Sequence, residues 1–274
     1  MKFLRYQTDD GPAYGALKDG GAVNAIDGDV FGDYTVGVRV AYLDDLHLLA
    51  PVDPPTVIGA GANYLAHILE GHDESAIPQF PMLFTLPSAS VIGPDQPITL
   101  PRREAFTHAI KHPELQRDPL GSVELEAELV AVIGKTCRSV REDEALDYVL
   151  GYTCGNDVSA RGLQFAEMAT GVLMMGKGMD GFKPLGPCIA TDLDPTNLAI
   201  TSRRNGETLQ QSNTSDLLFS VASLITYLAQ GMTLRPGDCI YTGTPAGVGA
   251  IEPGDTIEIE VEGIGILRNS VVAA

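Results

Sequence analysis

Three carboxylates spaced two apart, Glu124, Glu126 and Glu128, open the stretch Ser122–Lys135 and run into the apolar Leu129, Val130, Ala131, Val132 and Ile133 before Gly134. On a β-strand, residues two apart share a face about 7 Å from one another, so the three acids are expected to project together. The apolar continuation reads as a strand buried on both faces, which puts the acids at an interior end. Gathered carboxylates repel one another and lose hydration unless a cation or a shared proton compensates. The chemistry this points to is a divalent metal site. A solvated strand face is the plainer alternative, and the same period recurs at Glu258, Glu260 and Glu262. There the chain runs into Gly263-Ile264-Gly265 instead of an apolar run, and a solvated face is expected.

His67 and Glu70, three apart, fall on one face of a short helix, where the carboxylate can orient the imidazole and raise its basicity. Such a pair is a good general base for activating water; an incidental exposed ion pair is the competing reading. His72 falls off that face, and the string is not the His-Glu-x-x-His of zinc proteases. Read as a regular helix, Asp157 to Gln164 lines up Asp157, Arg161 and Gln164. That polar stripe could hold a carboxylate-bearing ligand beside a metal, or it could be a solvated face.

Gly171 to Gly178 nearly spells a phosphate loop, but Gly178 stands where Ser or Thr would bind magnesium, so a nucleotide site is rejected. Lys177 there either offers a point charge to an anion or is simply exposed. Asp238 to Gly249 reads as a strand entering a glycine-rich loop that brings backbone donors and the Thr244 hydroxyl near a ligand. No Gly-x-Ser-x-Gly elbow occurs, so water is the expected nucleophile of any hydrolysis. Cys137, Cys154, Cys188 and Cys239 are widely spaced and read as reduced, buried thiols.

The elements that must position these groups belong to a chain of 274 residues, 44% hydrophobic and 20% charged, ordinary for a globular protein. Its net charge of −18 argues against nucleic acid and anionic membranes as partners, and obliges any site for an anion to invert the field locally. With no apolar run near 20 residues and no apolar stretch behind the basic amino terminus, a cytoplasmic location is expected. Short strands are expected over Phe3–Tyr6, Tyr14–Lys18 and Ala22–Ile26, forming a small amino-terminal module over 1–53. Pro51 to Pro55 reads as a stiff linker before a second domain over 56–274.

Within that domain, Gly59-x-Gly61 lacks the third glycine of a dinucleotide fingerprint. The cation-bearing segment Arg102 to Gly121, with Arg103, Lys111 and Arg117, is read as a surface excursion, a substrate-facing or subunit-facing role staying open. Ser139 and Glu142 form a capping box starting a helix that ends near Gly151. A strand follows from Gly151, Asn205-Gly206 turns a hairpin, and Thr214 or Ser215 caps a helix over Leu217–Gln230.

Taken in order, several motifs resemble the fumarylacetoacetate hydrolase family. They are Ile58-Gly-x-x-x-Asn-Tyr with His67-x-x-Glu70, and Glu126-x-Glu128-Leu-Val-Ala-Val-Ile-Gly-Lys. Gly151-Tyr-Thr-x-x-Asn-Asp157-Val-Ser-Ala-Arg-x-x-Gln follows, then Pro184-Leu-Gly-Pro, Asn213-Thr-x-Asp, and Pro236-Gly-Asp-x-Ile-x-Thr-Gly-Thr-Pro-x-Gly-Val-Gly. The resemblance spans about Thr56 to Val271. It implies an α+β, β-rich fold of mixed β-sheets forming a β-roll catalytic domain, commonly a homodimer. It further implies Mg2+ or Mn2+ on Glu126, Glu128 and Asp157, with Glu124 not binding the ion. His67 and Glu70 match the family's lid, Lys177 its active-site lysine, and Arg161, Gln164 and Thr244 its substrate-side positions. The long Arg102–Gly121 segment and Gly178-Met-Asp after Lys177 depart from the usual pattern.

The expected reaction is hydrolysis of a carbon–carbon bond in a β-diketo acid of the acylpyruvate or fumarylpyruvate type. The ion would hold the substrate's keto or enol oxygen and carboxylate, His67 with Glu70 would activate water, and Lys177 would help stabilise the leaving enolate. Decarboxylation of oxaloacetate, or isomerisation or dehydration of a related 2-keto acid, uses the same site. A non-catalytic binding protein is the remaining alternative. The expected partner is a small anionic keto acid.

Overall fold

A computed structural model describes residues 1–70, 73–108, 110–111 and 113–274. The amino-terminal strands are β1 (Lys2–Thr8), β2 (Gly11–Leu17), β3 (Ala22–Gly28) and β4 (Tyr34–Tyr42). The first three occupy the segments expected of them; β4, not among the expected strands, alternates Tyr34, Val36, Val38, Val40 and Tyr42 with smaller or polar residues, and leaves Val36, Val38, Val40 and Tyr42 exposed. Next come β5 (Val57–Gly61), α1 (Leu65–Leu69), β6 (Met82–Leu86), β7 (Val91–Ile92) and β8 (Ile98–Leu100). Then follow α2 (Pro113–Arg117), β9 (Val123–Leu125), β10 (Ala127–Ile133), β11 (Val149–Asn156), β12 (Ser159–Ala160) and α3 (Arg161–Met168). The chain closes with β13 (Lys183–Ala190), β14 (Ala199–Arg204), β15 (Glu207–Asn213), α4 (Val221–Gly231), β16 (Cys239–Tyr241), β17 (Gly249–Ala250), β18 (Thr256–Val261) and β19 (Gly265–Ala273).

These strands form three sheets among the described residues. The largest has the order β4-β3-β2-β1-β13-β11-β10-β16-β5-β6, with β7 beside β13. The second is β12-β9-β17 and the third β15-β14-β18-β19-β8. Mixed sheets with few helices are the β-rich architecture expected. The amino-terminal strands join the large sheet where Lys2 and Phe3 of β1 pair with Ala190 and Ile189 of β13.

Strand β10 is the spine. All seven of its residues are buried, and it lies between β11 and β16. Each Leu, Val or Ile so buried contributes about 1.5–3 kcal/mol, which fixes its register and with it the acids at its start. By contrast β18 alternates, with Ile257, Ile259 and Val261 buried. Its Glu258 pairs with Arg268 at 2.6 Å and Glu260 with Arg203 at 2.8 Å, the solvated face expected.

Three local expectations are corrected. Ser139 has φ 54 and Glu142 accepts from the Ser223 hydroxyl, so no capping box forms; a 3-10 stretch covers Glu142–Tyr148. The helix expected from Leu217 is α4, capped by Ser220, whose hydroxyl accepts from Ser223 N at 3.1 Å. Thr214 is buried and its Oγ1 accepts from Leu198 N. Finally, Asp157 lies outside α3, because Ser159 and Ala160 pair with Glu124 and Val123 as β12. The Asn205-Gly206 hairpin joins β14 and β15 as expected, both residues at positive φ. All four cysteines are free and buried, and no described helix is long and apolar enough to cross a membrane.

Candidate metal centre

The acidic stretch is not one uninterrupted strand. It breaks at Glu126, where the chain leaves the β12-β9-β17 sheet and enters the large one. Glu126 N is held by Asn156 Oδ1 at 2.9 Å, and its carbonyl accepts from Asp157 N at 2.9 Å. This break sorts the three acids. Glu124 stays on β9 and takes the Arg161 Nε at 2.7 Å. Glu126 and Glu128 turn inward and meet Asp157 at the end of β11. One oxygen from each of Glu126, Glu128 and Asp157 lies within 4.8 Å of the others, and all three residues are buried. The period of two could not choose among the acids; the strand break does.

Three cations surround this trio. Lys177, read as either a point charge or an exposed side chain, is buried, its Nζ 2.7 Å from Glu126 Oε2 and 2.6 Å from Asp157 Oδ2. Arg161 NH1 reaches Glu126 Oε1 at 2.6 Å and also donates to Gln164 Oε1 at 2.8 Å. Lys183, which pattern reading missed, places its Nζ 2.6 Å from Asp157 Oδ1. The available signal was a lysine heading the apolar run Pro184 to Ala190 in a chain with only 18 Lys and Arg.

The electrostatics are uneven. Burial pushes Glu126 up, but Lys177 and Arg161 outweigh it and, with a smaller effect from His67, hold the carboxyl down at about 2. Burial, Asp157 and Glu126 together push Glu128 well up, against the Gly243 amide and Lys177. Burial also pushes Lys177 down, yet Asp157 and Glu126 raise it overall. For Lys183 burial wins over Asp157 and its ammonium is lowered.

Two glycines in the loop after β16 are required by close approach. Gly243 sits at φ +101, and a Cβ there would meet Asn63 Cβ at 2.7 Å; its N–H donates to Glu128 Oε2 at 2.7 Å. Gly247, at φ +93, would drive a Cβ to 2.3 Å from Leu209 O, and its N–H donates to Glu70 Oε1 at 2.8 Å. The other Glu70 oxygen takes His67 Nδ1 at 3.0 Å. Glu70 is the residue just after α1. His72 lies outside the described residues.

Gln210, also missed by pattern reading, ties the two halves of the centre. It is buried on β15, accepts from Ala127 N at 2.9 Å and donates to Thr244 Oγ1 at 2.8 Å and Pro245 O at 2.7 Å. A glutamine in a polar strand gives no sequence signal for such a role. The Arg102–Gly121 segment pairs Arg103 with Asp118 and with Gly121 O, both within itself.

The donors fit a hard divalent ion. The trio offers only carboxylate oxygens, the set that Mg2+ and Mn2+ prefer. Asp157 Oδ1 is buried with no hydrogen bond among the described residues, although Lys183 stands in ion-pair contact with it. The Lys183 ammonium gives that oxygen charge while its hydrogens go to three backbone carbonyls, which leaves the oxygen's lone pairs open to a metal ion.

The fumarylacetoacetate (FAA) hydrolase C-terminal pattern matches residues 56–272. The chain belongs to the fumarylacetoacetate hydrolase family. An Rv2993c-like amino-terminal pattern matches residues 1–51. Among solved structures, the chain is similar to a 5-carboxymethyl-2-hydroxymuconate delta-isomerase from Mycobacterium smegmatis, with 40% identity, a TM-score of 0.85 and all of both chains covered. It is also similar to a maleylpyruvate hydrolase from Sphingobium in complex with manganese(II) and pyruvate, with 29% identity and a TM-score of 0.76 over 100% of both chains. Oxaloacetate tautomerase fahd2 of Xenopus laevis is 33% identical over 307 residues, covering 99% of this chain and 90% of that protein. Members of this family are enzymes, among them hydrolases, isomerases and tautomerases, and the manganese-bound relative together with the acidic trio supports a divalent metal here.

Proposed function

We propose that this protein hydrolyses a carbon–carbon bond in a β-diketo acid of the acylpyruvate or fumarylpyruvate type, with Mg2+ or Mn2+ held by Glu126, Glu128 and Asp157. The observation that carries the reading is the His67–Glu70 pair, 3.0 Å apart and tied through Glu70 to Gly247, in the same molecule as the trio. A carboxylate accepting at Nδ1 keeps the proton on that nitrogen and leaves Nε2 free as a base. His67 would take a proton from the water that attacks the distal carbonyl, and Glu70 would hold the imidazolium that results. Bound at the trio, the divalent ion would polarise the oxygens of the substrate's keto acid end.

Lys177 would answer the negative charge that develops on the pyruvate fragment as the bond breaks, and the proton taken up by His67 would pass to that enolate carbon to release pyruvate and restore the neutral imidazole. Arg161, Gln164 and Thr244 are the proposed substrate-side groups. Arg161 also braces Glu126 directly, and the Thr244 hydroxyl, accepting from Gln210, keeps its own hydrogen to donate. The ion, Lys177 and Arg161 together give an anion a locally positive site in an acidic chain. In this reading the protein is a cytoplasmic homodimer acting on a small anionic keto acid.

A second reading is favoured by the frog oxaloacetate tautomerase and the mycobacterial isomerase: proton transfer on a 2-keto acid without bond hydrolysis, His67 moving the proton. Assays on acylpyruvates and on oxaloacetate, with Mn2+ and then with chelator, separate the two. Pyruvate release from acylpyruvates that stops with chelator supports hydrolysis; turnover of oxaloacetate alone supports the second reading. Activity indifferent to chelator contradicts both.

A further inference from the structure

Lys183 is fully buried at the start of β13, yet no step above uses it. Withdrawing an ammonium from water is costly unless its donors are all taken and a counter-charge is near. Here they are. Its Nζ donates to Val158 O at 3.1 Å, Lys177 O at 2.5 Å and Phe182 O at 2.9 Å, and lies 2.6 Å from Asp157 Oδ1.

Each partner belongs to the centre. Asp157 is in the trio, and Val158 follows it directly. Lys177 is the residue whose own ammonium lies on the other Asp157 oxygen. Phe182 O additionally accepts from Val158 N at 3.1 Å, so one ammonium ties the turn after β11 to the loop carrying Lys177. Asp157 is thereby gripped on both oxygens by two lysines arriving from the same loop-strand segment.

We infer that Lys183 is a positioning residue of the metal centre: its ammonium fixes the Asp157 carboxylate and the backbone of Lys177, and so sets the affinity of the trio for a divalent ion that it does not itself touch. Removing a group that orients a metal ligand lowers metal affinity about 10- to 100-fold. The inference rests on the assignment of Glu126, Glu128 and Asp157 as the cation site.

Mn2+ binding by calorimetry to the wild-type protein and to Lys183→Met tests it. Tight binding to wild type and about 10- to 100-fold weaker binding to the folded variant are expected, with saturating Mn2+ returning kcat towards wild type. A merely structural lysine would lower the melting temperature and leave the Mn2+ affinity of the folded fraction unchanged; that result overturns the inference and spares the cation site. No Mn2+ binding to wild type overturns the cation site and the inference with it. Should Lys183→Met not fold, wild-type protein labelled with 15N at its lysines decides. The Lys183 15Nζ signal, assigned by its NOEs to Val158 and Phe182, is expected to shift along the Mg2+ titration. A signal that stays fixed while Mg2+ binds overturns the inference.

Discussion

The Lys177 ammonium bridges Glu126 and Asp157, two acids 31 positions apart in the chain, at 2.7 Å and 2.6 Å. Coulomb attraction at such distances in a dry interior is strong, but each charge has been taken from water to achieve it. The net gain in stability from the pairing is therefore small, and its proposed role is catalytic. Lys177→Met keeps the stem and removes the charge, and kcat should fall about 10²–10³-fold, the scale of losing one donor to a developing oxyanion. Steady-state kinetics at saturating Mn2+ checks this; unchanged kcat contradicts the role of the lysine.

Acid should act through Glu126. Its folded carboxyl lies at about 2 against an ordinary 4.5, so the stability it contributes is present above about 4.5 and is lost as pH falls towards about 2. Glu126→Gln should flatten that acid limb of melting temperature against pH. A limb unchanged in the variant contradicts the assignment.

Glu128 has the opposite sign. Raised by burial, Asp157 and Glu126, its protonated form is favoured in the fold, so its contribution is present at low pH and lost as pH rises through the raised value. Ion binding at a pH where it is protonated would expel that proton. Mn2+ titrations in buffers of different ionisation heat should show a proton release that grows as pH falls, and Glu128→Gln should bind Mn2+ poorly without that release. Equal heats in all buffers with wild-type protein contradict this.

His67 and Glu70 can be separated by the atoms they use. His67→Ala should lower kcat about 10²–10⁴-fold, the usual worth of a general base, while Mn2+ affinity holds. Glu70→Gln retains an oxygen for Gly247 N and should cost less than Glu70→Ala, which loses the Gly247 contact and the His67 partner together. Equal losses in the two Glu70 variants would show that the Gly247 tether is immaterial.

Gln210→Ala strands the Ala127 N–H between Glu126 and Glu128, two proposed metal ligands, and frees the Thr244 loop. Buried groups left unpaired cost about 1–3 kcal/mol each. A lowered melting temperature with a raised KM is expected, read by thermal unfolding and kinetics; a wild-type KM would confine Gln210 to stability.

Local pattern carried a large part of the site. The apolar run of β10, the His67–Glu70 spacing and the Asn205-Gly206 turn are near-neighbour signals, and each appears in the structure where the sequence places it. What escaped is non-local. Asp157 looked helical because the pairing of Ser159 and Ala160 with β9 is invisible in the sequence around it. The union of β1 with β13 joins residues nearly two hundred apart, and a buried lysine such as Lys183 shows its value only once its carbonyl partners are in place.

Anomalous diffraction from crystals soaked in Mn2+ tests the metal centre most directly. A peak bound by Glu126, Glu128 and Asp157, with Glu124 still on Arg161, is the expected result. A peak on Glu124, or none in crystals of active protein, would contradict it.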